Sequence, residues 1–131
     1  MFSRFLMTAS AVLMGLAGIA LTFAPELLAG LFDVSAEPAV LLIGQVLGAL
    51  YFALAMLNWM LKDSVIGGIY NRPALVTNLS HFVIAGLALL RHVADGHAAG
   101  ILWAVAAVYA LFGIGFGVLL FRHPSQKTAA Q

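Results

Sequence analysis

Four continuous apolar runs, at about 5–24, 39–61, 73–90 and 99–121, occupy most of the 131-residue chain, and none of them contains Asp, Glu, Lys or Arg. A helix needs roughly 17–25 apolar residues to cross the hydrocarbon core of a bilayer, and each run falls in that range. Only helices and closed barrels satisfy their own backbone in lipid. A barrel would show segments of about ten residues with alternating polarity, whereas these runs are apolar throughout and rich in Ala, Leu and Gly. The pattern predicts an all-α integral membrane four-helix bundle of up-down-up-down topology, with residues 1–131 forming a single transmembrane domain. Pro25 ends the first run, because the residue before a proline is pushed out of helical geometry. The segment 26–32 then carries Leu27, Leu28, Leu31 and Phe32; it reads either as an interfacial helical turn or as an ordinary collapsed loop. Pro38 suits the first turn of the second long helix, where its missing N–H costs nothing. The tail 124–131 reads as disordered.

Within the runs, small and polar residues recur at alternating spacings of three and four, which places them on one helix face. The first stripe is Thr8, Ala11, Gly15, Gly18 and Thr22; the second is Gly44, Gly48, Tyr51, Ala55 and Asn58. The third is Ala74, Asn78, His81, Ala85 and Ala88, continuing to His92; the fourth is Trp103, Ala106, Ala110, Gly113 and Gly117. Helices in lipid associate through close packing of small residues and interhelical hydrogen bonds, so these stripes are expected to face one another, with left-handed packing from the 3.5-residue spacing.

Counting turns from the ends of the runs sorts the polar residues by depth. Asn58 and Asn78 fall in one layer; Tyr51 and His81 fall in a deeper one, and Tyr109 lies near mid-membrane. Ionisable groups inside spans are rare and are functional candidates. His81 has two readings. One is a proton-accepting or ligand-binding group with Tyr51 and Asn78 as partners; the other is a neutral imidazole bonded to Tyr51 or an Asn as interhelical glue. Gln45 lies off its stripe and faces either the first helix or a second copy of the chain.

Composition adds mostly exclusions. The chain is 63% hydrophobic and 8% charged, with a mean hydropathy of +1.06 and no cysteine, which removes disulfides, thiol chemistry and cysteine-ligated metal. Its six Lys and Arg form no basic patch, so no nucleic-acid partner is expected. His92, Asp95 and His97 are candidate metal ligands, but their spacing matches no standard zinc motif; no metal or other cofactor is expected. There is no nucleophile with a base, no metal triad and no paired carboxylate for catalysis. The first run exceeds the 7–15 apolar residues typical of a signal peptide and reads as a retained helix.

In layout the chain resembles the small four-helix bacterial membrane proteins of the DoxX-like kind. The resemblance spans the whole length through span count and size, and the segment from FAPELLAGLF through the Gly-rich second run carries most of it. Such proteins often place an acid in the second span; this chain has Gln45 and Asn58 and no acid there, so the redox-partner role implied by the resemblance is carried over to no residue. The leading functional expectation is an accessory or scaffold subunit that self-associates or joins a larger membrane complex among membrane lipids. The alternative is a binding or transport module for a small lipid-like or weakly basic ligand, built on the polar layer Tyr51, Asn58, Asn78, His81 and Tyr109.

Orientation follows from loop charge. Arg4, Lys62, Arg72, Arg122 and Lys127 fall on the side of the two termini, and only Arg91 falls on the other. Tyr70 joins Lys62 and Arg72 as a candidate headgroup contact in a middle loop punctuated by Gly67 and Gly68. Basic residues are retained on the cytoplasmic side, so both termini are expected there, in a plasma or inner membrane. A C-terminal reporter active only outside the cytoplasm is expected to stay silent; activity would reverse the assignment.

Overall fold

The computed structural model describes residues 1–64, 71–96 and 100–121. In chain order it contains α1 (Phe2–Phe23), α2 (Pro25–Leu31), α3 (Pro38–Leu61), α4 (Arg72–Ala94) and α5 (Gly100–Phe121). All but α2 are long and apolar enough to cross a membrane, which makes this a small membrane protein. Gly67, Gly68, Tyr70, His97, Arg122, Lys127 and the tail lie outside the described residues. Prolines open three of the helices, within the first two positions of α2, α3 and α4.

The four long helices alternate in direction. Early α1 residues meet late α3 residues, from Arg4 beside Asp63 through Ser10 at Asn58 to Gly18 at Gly48. In the same way Gly86 meets Tyr109 and Gly117 meets Leu79 across α4 and α5. The closest packing is within these two pairs, α1 with α3 and α4 with α5. The first pair owes its closeness to two glycines. A Cβ on Gly18 would sit 2.7 Å from the Gly48 carbonyl oxygen, and one on Gly48 would sit 2.8 Å from the Gly18 carbonyl oxygen. Backbone thus meets backbone at the crossing, the arrangement small residues permit in lipid.

Between the pairs the filling is bulky. Phe82, Phe116, Met7 and Met14 are essentially fully buried. Phe82 stacks on Phe112 with ring centroids 4.9 Å apart and on Phe116 at 5.7 Å. The stripes of α1 and α3 face inward as expected, but that of α5 needs correction. Trp103 is 57% exposed and Ala110 is also outward; the buried face runs through Leu102, Ala106, Tyr109, Gly113 and Phe116. Tyr109, placed off the stripe by spacing, is therefore on the inner face.

The segment after α1 is a helix, and it closes with a recognisable cap. Val34 N–H donates to the Ala29 carbonyl at 2.8 Å and Asp33 N–H to the Gly30 carbonyl at 3.4 Å, the paired bonds of a Schellman motif. Asp33 takes the left-handed conformation, φ 55°, which Asp tolerates better than most residues. This turn brings Phe32 and Val34 over the space between the helix pairs.

Gly48→Ala is expected to destabilise the protein by at least about 1 kcal/mol through overpacking against backbone. Gly44→Ala, whose Cβ would meet only Leu21 Cδ2 at 3.8 Å, is expected to be tolerated. Thermal denaturation in detergent distinguishes them; equal melting of the two variants would contradict the close crossing.

Candidate functional site: a bonded polar layer and an apolar cavity

Three helices meet at Asn58 of α3, Asn78 of α4 and Ser10 of α1, all fully buried. The two amides form a reciprocal pair: Asn58 Nδ2 donates to Asn78 Oδ1 and Asn78 Nδ2 to Asn58 Oδ1, each at 2.7 Å. The remaining donors are also used. Asn58 Nδ2 reaches Ser10 Oγ at 3.0 Å, and Asn78 Nδ2 reaches the Ala74 carbonyl at 2.9 Å. Ser10 Oγ in turn donates to the Met7 carbonyl at 3.0 Å. Each amide carries two N–H donors, so none is left for a ligand. All four amide donors of this layer are thus spent on contacts within the protein.

The deeper layer differs. The hydroxyls of Tyr51 on α3 and Tyr109 on α5 are 2.7 Å apart and share one hydrogen bond between the helix pairs. His81 lies against both rings, edge-on to Tyr51 at a centroid distance of 5.2 Å and tilted to Tyr109 at 5.6 Å. Its Nε2 is buried and has no hydrogen-bond partner among the described residues. The sequence thus groups Asn58 with Asn78, and Tyr51 with His81 and Tyr109, at the depths where they meet. The link between His81 and Tyr51 is a ring contact.

On the α2 side of the tyrosines the helix pairs line a half-open cavity of about 540 Å³. Its wall draws Leu13, Met14 and Ala17 from α1, Leu28 from α2, Phe32 from the turn after it, and Val105 and Val108 from α5. Among the described lining residues, Tyr51, Tyr109 and His92 are the polar ones. His81, singled out by the sequence, does not contribute to this wall.

Of the other described candidates, only His92 touches this wall. His92 lies on α4, within its last turn, and Asp95 caps that helix; among the described residues no three His, Cys, Asp or Glu come together as a metal site, and His97 is outside them. Gln45 faces α1, donating to the Thr22 carbonyl at 3.4 Å. Lys62 Nζ sits 3.1 Å above the Trp59 ring centroid, and Arg4 Nε pairs with Asp63 at 3.0 Å. Sequence reasoning missed Ser10. Its depth in α1, matched against Asn58 in an antiparallel neighbour, was the available signal. The sequence matches no protein-family model, and neither the curated proteins nor the solved structures compared with it gave a match.

Removing one member of the amide pair leaves the other buried and unsatisfied, whereas removing both does not. Asn58→Leu is expected to cost about 1–2 kcal/mol, and Asn58→Leu with Asn78→Leu clearly less than the sum of the single effects. Unfolding of the four proteins in mixed micelles measures this; strict additivity would contradict the reciprocal pair.

Proposed function

We propose that this protein is a membrane-embedded binding module that holds a small, apolar, lipid-like molecule between its two helix pairs. The observation carrying this reading is the cavity of about 540 Å³ with its apolar wall and tyrosine pair. Small-molecule sites are typically clefts of roughly 300–1,000 Å³, mostly apolar with a few placed polar groups. A dry apolar space admits apolar guests rather than water. The bonded asparagine layer supports the reading from the other side, since it fixes the helix register without drawing on the tyrosines.

With both termini cytoplasmic, as the loop charges favour, the cavity lies in the outer half of the bilayer and α2 lies along its outer face. Membership among DoxX-like bacterial inner-membrane proteins accords with the four-helix layout and belongs to the same proposal. A scaffold role is the second reading. It is favoured by α3, which buries the smallest share of its length of the four long helices and so offers the largest face to another subunit.

The test is an apolar diazirine photolabel applied to the protein in bilayers. Labelling is expected at Met14 and Val105 in the cavity wall as well as at Leu16, which is 64% exposed on the outside. Ala17→Trp, which fills the cavity, is expected to abolish the Met14 and Val105 labels and spare Leu16. Absence of label at Met14 and Val105 in the parent protein would remove the proposal.

A further inference from the structure

Selectivity is hard to obtain in an apolar cavity inside a membrane. A guest that leaves lipid for such a cavity exchanges one apolar environment for another, so hydrophobic burial supplies little drive. Shape and polar contacts must decide which molecule stays. Among the described lining residues the polar contributors are Tyr51, Tyr109 and His92. No Lys, Arg, Asp or Glu is among them.

The tyrosine pair has one proton more than its own bond consumes. Each phenol carries one O–H donor. In the 2.7 Å bond one hydroxyl donates and the other accepts. The accepting hydroxyl keeps its own O–H, and neither hydroxyl has a second partner among the described residues. A part-buried donor shielded from water without an acceptor costs free energy, and that cost is relieved when a guest brings one. Resting on the cavity reading above, we infer that the bound molecule is a neutral, apolar compound bearing a single strong hydrogen-bond acceptor, such as a ketone, and that the Tyr51–Tyr109 pair recognises that oxygen. Either hydroxyl can play the donor, because either can be the acceptor in the mutual bond. Removing one phenol oxygen therefore still leaves one O–H to donate, and only the loss of both removes recognition.

The experiment uses 9-fluorenone and fluorene, flat molecules of nearly the same shape that differ by one carbonyl oxygen. Each competes with the diazirine photolabel at Met14 in bilayers, with Leu16 labelling correcting for partition into lipid. Fluorenone is expected to be about fivefold more potent than fluorene in the parent, in Tyr51→Phe and in Tyr109→Phe. In the double variant the two are expected to be equal, while undiminished competition by fluorene shows that the cavity has survived. The infrared carbonyl band of bound fluorenone, read in the parent protein alone, is expected at lower frequency than in lipid. Equal potency in the parent with an unshifted band overturns acceptor recognition and leaves the cavity standing. Failure of both compounds to compete sinks the cavity itself and the inference with it. A preference that persists in the double variant overturns the assignment to the tyrosines.

Discussion

The reciprocal amide bond between Asn58 and Asn78, with Ser10 beside it, is the constraint on which the remaining geometry depends. In lipid, apolar side chains gain little by leaving acyl chains for one another. Contacts between leucines therefore do not distinguish one sliding position of a helix from the next. A buried amide pair does. Shifting α4 along α3 by one residue would break both 2.7 Å bonds and strand their donors and acceptors in a dry core, at a cost of several unsatisfied groups. With this register fixed, Tyr51 comes level with His81 and within hydrogen-bonding distance of Tyr109.

Two kinds of packing then divide the bundle. At Gly18 and Gly48 the α1 and α3 backbones touch, so no space remains between them. Between the two pairs, the helices stand further apart, and whatever fills the gap depends on side-chain volume. Around Phe82, Phe112 and Phe116 it is filled by stacked rings. Toward α2, Ala17 and Ala20 on one side and Val105 and Val108 on the other are too small to meet, and the cavity results. The Schellman turn after α2 sets Phe32 and Val34 against its outer end.

Much of this was legible in the chain because the controlling signals are local. Span length follows from hydrocarbon thickness, helix boundaries from Pro25, Pro38 and Pro73, and the Asn58–Asn78 layer from depth alone. The face of α5 was not legible. That helix is so uniformly apolar that stripes through Tyr109 or Ala110 look equally plausible, and the smaller residue was the wrong choice. Phe82 and Phe116 escaped because small residues mark only where backbones touch; where pairs stand apart, large rings belong inside. The cavity had no sequence signal at all, since an empty space is the joint product of five helices and of no single residue.

The separation of the amide layer from the tyrosine layer has a consequence for how this sequence can change over time. The amides and serine that set the register and the residues that line the void are different sets. Drift at Ala17, Val105 or Val108 reshapes the chamber without touching the bonds that set the register. The shape of the void can thus be altered by single substitutions, each on a scaffold that still assembles.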